Sequence, residues 1–285
     1  MIAVIGELER LRETVRGWKR AGERVAFVPT MGNLHAGHFS LVRLAREHAD
    51  RVVASVFVNP TQFGPNEDFA RYPRTPERDA QGLEEAGCDV LWMPSVEAMY
   101  PFGVDGAVRV QVPGVTDVLE GAHRPGHFDG VATVVARLFL QVQPDVAVFG
   151  RKDYQQLAVI RYLVREMSFP IEIVPAETKR EDDGLAMSSR NQYLSADERA
   201  RAPAIHRVLG RMRDEAVAGR SVAEIEADAA AELGGEGLEV DYAVLRRRDF
   251  GVVEAGDREL VALIAARIGR TRLIDNIEFE RPPGA

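Results

Sequence analysis

The stretch that decides the fold is residues 24–49, which read RVAFVPTMGNLHAGHFSLVRLAREHA. Residues 24–29 form a short apolar run typical of a buried strand, and residues 38–49 have the pattern of an amphipathic helix. The loop between them therefore leaves a strand and enters the N-terminus of a helix. Sheets with parallel strands bind ligands beyond the carboxyl ends of those strands, so we expect this loop to contain binding or catalytic residues.

The same alternation continues to residue 175. Strand-like runs follow at residues 52–58, 89–93, 145–149 and 171–175, with helical segments at 76–86, 129–142 and 153–167. This β-α-β order predicts an α/β fold in which a Rossmann-like parallel sheet carries helices on both faces.

A different pattern begins at residue 178. A charged connector, residues 178–184, leads to helical segments at 196–217 and 221–233, and then to strand-like runs at 238–245, 260–266 and 272–279. Helices followed by strands predict a smaller α+β domain. We therefore expect one domain over residues 1–177 and a second over residues 178–285.

Composition excludes several classes of protein. The 285 residues carry 36 basic and 44 acidic side chains, a net charge of −8, which argues against a nucleic-acid binder. The single cysteine, Cys88, allows no disulfide within the chain and fits a reducing compartment. With neither a secretory signal nor a long apolar run in the sequence, we expect a cytoplasmic protein with no membrane partner.

Two histidines stand out in the first loop. The loop has the GxxxxG spacing of a P-loop at Gly32 and Gly37, but His38 and Phe39 replace the Lys and Ser/Thr that would follow. His35 and His38 lie on one side of the first helical turn, where backbone N–H groups and the helix dipole favour an anion. They could donate hydrogen bonds to phosphate oxygens, although a structural cap or half of a zinc site are the alternatives.

Three further loops hold other candidates. The amides of Asn59 and Gln62 follow the second strand and suit a small polar substrate, or they simply form a turn. Residues 120–127 combine an arginine with two histidines, a composition that suits binding of a phosphate or carboxylate. The alternative is a loop whose side chains are only solvated. Lys152, one of only three lysines, follows Gly150 at the start of a helix, where it can meet a phosphate or be a surface lysine.

The segment Met187-Ser-Ser-Arg-Asn191 adds two hydroxyls and a guanidinium beyond the connector. Such a cluster can close over the phosphates of a nucleotide, and an N-cap is the alternative role of its serines. Neither Ser188 nor Ser189 lies in a GxSxG elbow, so we do not expect a hydrolase nucleophile.

In this order the motifs resemble those of the pantothenate synthetases (pantoate–beta-alanine ligases), a family of the HxGH nucleotidylyltransferase-like superfamily. The matching segments are residues 29–38, 56–64, 72–75, 152–156, 187–191 and 271–276. The resemblance implies ATP-dependent condensation of (R)-pantoate with beta-alanine to pantothenate, AMP and diphosphate, through a pantoyl adenylate. It also implies a homodimer, and Mg²⁺ held mainly by the phosphates of ATP and by water rather than by protein ligands.

Matching positions carry the roles that the resemblance implies. The ATP-binding residues would be Met31, Gly32, Asn33, Leu34, His35, Ala36, Gly37, His38, Gly150, Arg151, Lys152, Asp153, Lys179, Met187, Ser188, Ser189 and Arg190. The catalytic residues among them would be His35, His38, Lys152, Ser188, Ser189 and Arg190, with His38 as the proton donor. Pantoate would contact Gln62, Gln156 and Asn59, and beta-alanine would contact Gln62 and Tyr72; Arg124 and His127 are further candidates.

Two positions depart from the family pattern, which usually has Glu at Arg151 and Val at Lys179. A backbone contact at Lys179 would tolerate the change, whereas Arg151 adds a positive charge beside Lys152.

Two other functions compete with the ligase. The amide-rich set Asn59, Gln62 and Gln156, without a second phosphate-binding cluster in the sequence, argues against a nucleotidylyltransferase. The paired histidines together with Lys152 and Arg190 exceed what binding alone requires, which argues against a non-catalytic ATP sensor.

Overall fold

The computed structural model describes residues 2–64 and 69–282. The chain forms two compact units, one of Met1–Arg151 with Gln155–Glu177 and the other of Lys152–Tyr154 with Thr178–Ala285. Among the described residues, no helix has both the length and the apolar character that a membrane crossing requires.

A six-stranded parallel sheet forms the centre of the first unit. Its strands are β1 (Ala3–Ile5), β2 (Val25–Thr30), β3 (Arg51–Val56), β4 (Val90–Trp92), β5 (Val146–Gly150) and β6 (Glu172–Ala176). They lie in the order β1-β4-β3-β2-β5-β6, and every pair is parallel. The predicted α/β class and parallel sheet are confirmed, with one edge strand, β1, that the sequence analysis did not identify.

Helices cover both faces of this sheet, as predicted. They are α1 (Leu8–Arg20), α2 (Ala36–His48), α3 (Pro76–Glu85), α4 (Val96–Met99), α5 (Glu120–His123), α6 (His127–Val142) and α7 (Tyr154–Glu166). Successive strand residues point to opposite faces. Phe27 packs in the cluster that includes α1, α6 and α7, whereas its neighbours Ala26 and Val28 pack against α2 and α3.

The loops that leave β2 and β5 lie side by side at the carboxyl ends of the parallel strands. Strand β2 pairs with β3 on one side and with β5 on the other, so the order of the chain reverses between β2 and β5. Doubly wound sheets bind ligands outside the carboxyl ends of the strands at such a reversal. The predicted site residues after β2 and at the end of β5 therefore occupy this position.

The second unit has the predicted α+β composition. Its helices are α8 (Ala196–Arg201), α9 (Ala204–Val217) and α10 (Val222–Gly235), and its strands are β7 (Glu239–Arg247), β8 (Glu259–Ile268) and β9 (Thr271–Glu280). The strands form an antiparallel sheet in the order β7-β8-β9, with its core against α9 and α10. The single helix predicted over 196–217 is wrong: Pro203 lacks an N–H and clashes with the preceding turn, so two helices form there.

Candidate active site

Two histidines cap helix α2 in the loop after β2. His35 is the N-cap residue, and its Nδ1 accepts a hydrogen bond from the backbone N–H of Gly37 at 3.1 Å. The Nδ1 of His38 accepts from the backbone N–H of His35 at 3.3 Å, and the two ring centroids are 4.1 Å apart. The rings form a reciprocal capping box, so the structural cap that the sequence left as an alternative is present.

These bonds assign the tautomer of both rings. A nitrogen that accepts a hydrogen bond carries no hydrogen, so each neutral imidazole has its hydrogen on Nε2. Each ring therefore holds an Nε2–H donor at the N-terminus of α2, where the helix dipole favours negative charge. Because the cap uses Nδ1 and a phosphate would use Nε2, one ring can serve both purposes.

A buried carboxylate that the sequence analysis did not single out holds the same loop. Asp79, in α3, is 1% exposed and accepts hydrogen bonds from the backbone N–H groups of Asn33 at 2.9 Å and Leu34 at 2.8 Å. The hydroxyl of Thr75 donates a third at 2.9 Å. Gly32 has a φ of +85°, and a Cβ there would lie 3.1 Å from Asp79 Oδ2. A Thr-Pro helix start marks α3 in the sequence, but only the fold brings its acid to this loop.

The predicted amide pair after β3 is buried and interlocked. The Nδ2 of Asn59 donates to Gln62 Oε1 at 3.1 Å and to the Gly130 carbonyl at 3.2 Å, and its Oδ1 accepts from the Tyr100 hydroxyl at 2.6 Å. Both ends of the Asn59 amide are thus engaged within the protein. The Nε2 of Gln62 lies 3.0 Å from the sulfur of Met31. A thioether is a weak acceptor. The Nε2 of Gln62 can therefore exchange this contact for a hydrogen bond to an oxygen of a ligand.

His127 connects this turn to helix α6. Its Nδ1 lies 2.8 Å from the carbonyl oxygen of Gln62, and its Nε2 lies 3.0 Å from the guanidinium of Arg124. A carbonyl only accepts and a guanidinium only donates, so Nδ1 carries the hydrogen and Nε2 accepts. A Cβ at Gly130 would overlap the carbonyl oxygen of Thr61, so only glycine permits this approach of α6 to residues 60–62.

The other two substrate candidates of the first unit have different surroundings. Tyr72 is buried, and its ring packs edge-on against Phe63 at 5.9 Å. Gln156 is partly exposed in the first turn of α7. Its neighbour Gln155 is buried and donates to the backbone carbonyls of Val115 and Val118, in the segment before α5, at 2.7 and 2.8 Å. Two adjacent glutamines look alike in a sequence, and the fold assigns Gln155 to the support of this segment.

Arg151 pairs with an acid of its own unit. Its backbone N–H donates to the Ala176 carbonyl at 2.8 Å, and its Nε lies 3.2 Å from Glu177 Oε1. The positive charge that this chain adds, relative to the family pattern, is therefore partly compensated beside it.

The candidates of the second unit combine cations with a capped turn. The Nζ of Lys152 lies 3.7 Å from Asp153 Oδ1. Ser188 accepts from the backbone N–H of Arg190 at 3.2 Å and so caps the 3₁₀ turn Ser189–Tyr193. Lys179 has an exposed side chain, and its carbonyl accepts from the backbone N–H of Met187 at 2.9 Å.

No group of three or more His, Cys, Asp or Glu side chains within residues 2–64 and 69–282 could hold a metal ion.

Comparison with known proteins gives a consistent set of relatives. The chain matches a protein-family model described as Pantoate-beta-alanine ligase over residues 3–278. It is 67% identical over 281 residues to the pantothenate synthetase of Stenotrophomonas maltophilia (strain R551-3), covering 98% of this chain and all of that protein. Identity to the pantothenate synthetase of Xanthomonas axonopodis pv. citri (strain 306) is 64% over 282 residues, with coverage of 98% and 100%.

Solved structures agree with the sequence relatives. The pantothenate synthetase of Thermus thermophilus superposes with a TM-score of 0.89 at 49% identity, covering 97% of this chain and 99% of that one. A pantoate-beta-alanine ligase from Francisella tularensis, complexed with beta-gamma ATP and beta-alanine, gives a TM-score of 0.82 at 32% identity, with 97% of each chain covered. Sequence and fold therefore match members of the same family over almost their whole length.

Proposed function

Because the chain belongs to the pantoate–beta-alanine ligase family, we propose that its catalytic groups are the histidine pair of α2, Lys152 and the Ser188–Arg190 segment. The enzyme is an ATP-dependent, AMP-forming ligase. It condenses (R)-pantoate with beta-alanine to pantothenate through a pantoyl adenylate, with release of AMP and diphosphate. The observation that carries this conclusion is the family match over residues 3–278.

In the first step, a carboxylate oxygen of pantoate attacks the α-phosphorus of ATP. An O–P bond forms, the bond to diphosphate breaks, and negative charge grows on the oxygens of the transferred and leaving groups. Donors fixed in advance near such oxygens stabilise the transition state. The Nε2–H groups of His35 and His38 are donors of this kind, because the capping box fixes each ring by its Nδ1.

Pantoate binding is the proposed role of Gln62 and Gln156. The Nε2 of Gln62 would exchange the sulfur of Met31 for an oxygen of pantoate, which is a stronger acceptor. Asn59 acts through Gln62, since its own amide is engaged on both sides within the protein.

In the second step, the neutral amine of beta-alanine attacks the acyl carbon of the adenylate. The C–N bond forms, AMP leaves with the electrons of the acyl–oxygen bond, and the amine loses a proton. Gln62 and Tyr72 are the residues that we assign to beta-alanine binding. Positioning accounts for most of what the protein must supply here, because the adenylate is already an activated acyl group.

We propose that ATP contacts the loop Met31–His38, Gly150, Arg151, Lys152, Asp153, Lys179 and residues 187–190. Lys152 and Arg190 carry positive charge for the phosphates, and Asp153 suits the hydroxyls of the ribose. Residues 1–177 would thus serve as the nucleotide- and pantoate-binding domain, and residues 178–285 as the lid domain. Mg²⁺ would enter with ATP, bound by phosphates and water.

We also propose that the enzyme is a cytoplasmic homodimer. The side chains of Phe102 and Val108, between α4 and α5, are 88% and 79% exposed, and such exposed apolar side chains are candidates for contact with a second copy. Burial raises the pKa of the Cys88 thiol to about 12, so this cysteine stays protonated and unreactive in a reducing compartment.

Incubation of the purified protein with ATP, Mg²⁺, pantoate and beta-alanine tests the function. We expect AMP and pantothenate in equal amounts, and no AMP when pantoate is left out. AMP formation without pantoate, or none with all four components, would overturn the proposal.

A further inference from the structure

One face of strand β9 holds the segment that carries Lys152. The side chain of Asn276 is buried, and its Nδ2 donates to the backbone carbonyl of Lys152 at 2.9 Å. Two residues along the strand, and hence on the same face, Glu278 accepts a hydrogen bond from the hydroxyl of Tyr154 at 2.8 Å. The ring of Tyr154 also packs edge-on against Phe250 at 5.6 Å. The three residues Lys152–Tyr154 are thus attached to β9 at both ends, although they interrupt the first unit in sequence.

The opposite face of β9 holds the connector that leads to Ser188. Asp275 is 4% exposed, and its two oxygens accept hydrogen bonds from the guanidinium of Arg180 at 2.6 and 3.0 Å. Arg180 also donates to the Gly184 carbonyl at 3.1 Å and forms a β-bridge with Ala186. A buried bidentate pair of this kind fixes geometry as well as charge. Adjacent residues of one strand therefore hold the two segments: Asn276 holds the one that carries Lys152, and Asp275 holds the connector that leads to Ser188.

We propose that Asn276 is the positioning residue for Lys152 in adenylate formation. The inference rests on the proposed contact of Lys152 with the phosphates of ATP. A lysine side chain is long and flexible, so the protein controls its ammonium group chiefly by fixing the backbone from which it starts. A displacement of about 1 Å at a reacting group can lower a rate by about 10²-fold. Asn276 supplies the donor that keeps the Lys152 carbonyl, and hence this backbone, in place.

Substitution of Asn276 by two residues of similar size tests this role. Asn276→Leu and Asn276→Asp both remove the donor, and the Asp variant retains polarity if the Leu variant fails to fold. We expect each to lower kcat for pantoate-dependent AMP formation by about 10-fold or more, with the KM for pantoate unchanged. Asp241→Asn is the matched control, because it breaks an ion pair with Arg272 in the same sheet and should leave kcat unchanged.

A double-mutant cycle separates positioning from a general structural effect. If Asn276 acts through Lys152, Asn276→Asp should lower kcat by less than about 2-fold in a Lys152→Ala background, since coupled residues are non-additive. Full additivity of the two changes, or wild-type kcat in both Asn276 variants, would overturn the inference. Failure of the proposed function is distinguishable, because the wild-type enzyme would then form no pantoate-dependent AMP.

The small number of lysines allows a second readout. Only Lys19, Lys152 and Lys179 can be acetylated on a lysine side chain, so mass spectrometry can follow each one separately. In the wild type, ATP should slow the acetylation of Lys152 relative to that of Lys19. In Asn276→Asp this protection should be lost. Equal protection in wild type and variant would contradict the proposed positioning.

Discussion

The ring of His35, like that of His38, uses Nδ1 to stabilise the start of helix α2 and presents an N–H on Nε2. The spacing of the two histidines in the sequence indicates that they lie at the start of the helix. It does not indicate which ring nitrogen accepts a hydrogen bond and which one donates. The hydrogen bonds of the fold supply that information. They also show that the cap and the proposed phosphate contact are compatible functions of one residue.

The two functions of His38 can be separated by His38→Asn. An asparagine oxygen can still accept the backbone N–H of His35, but nothing replaces the Nε2–H donor. We expect the free energy of unfolding to fall by less than about 1 kcal/mol, the usual cost of losing a cap, while kcat falls by about 10²-fold. Urea unfolding and the rate of AMP formation measure the two effects. His48→Ala, at the far end of the same helix, is the control. A normal kcat in His38→Asn would show that His38 only caps the helix.

A buried acceptor, Asp79, supports the same loop from helix α3. In Asp79→Asn, an NH₂ group replaces one oxygen and must face the backbone N–H of either Asn33 or Leu34. We expect the free energy of unfolding to fall by about 1–3 kcal/mol, the cost of an unsatisfied buried polar group, and the KM for ATP to rise. Asp117→Asn, at an exposed carboxylate that also accepts a backbone N–H, is the control. An unchanged unfolding midpoint would show that Asp79 does not hold the loop.

At the scale of elements, pattern reasoning finds most strands and helices but misses strand β1, helices α1, α4 and α5, and the break between α8 and α9. Strand β1 is only three residues long and lies at an edge of the sheet, so it leaves almost no periodic signal. The break between α8 and α9 follows from Pro203, which the alanine-rich composition of the segment conceals. The central strands are found because burial on both faces of a parallel sheet requires continuous apolar runs. The helices that are found show the periodicity of an amphipathic helix.

Helix α6 approaches residues 60–62 so closely that Gly130 has no room for a side chain. We expect Gly130→Ala to lower the free energy of unfolding and to raise the KM for pantoate, because a Cβ would push the Thr61 carbonyl and displace Gln62. Gly17→Ala in α1 is the matched control. Its Cβ would meet nothing within 4 Å, so it should stabilise the protein by about 0.5–1 kcal/mol. Thermal unfolding and pantoate titrations measure both; equal effects of the two substitutions would contradict the assigned packing.

At the scale of the molecule, a chain of net charge −8 uses two anionic substrates, ATP and pantoate. A net negative charge is compatible with anionic substrates because the rare cationic residues are concentrated in a few loops. Four of the six histidines lie in residues 35–38 and 123–127, and Lys152 and Lys179 are two of the three lysines. These rare residues mark the loops of the proposed site in the sequence. Their support is not visible, because Asp79, Tyr100 and Asn276 reach the loops only through the folded chain.

The central claim is that pantoate is activated as an adenylate before the amine reacts. The most direct test is exchange of labelled pyrophosphate into ATP with pantoate and Mg²⁺ present and beta-alanine absent. We predict exchange that depends on pantoate and that is lost in Lys152→Ala. Absence of exchange in an enzyme that still makes pantothenate, or exchange without pantoate, would contradict the adenylate mechanism.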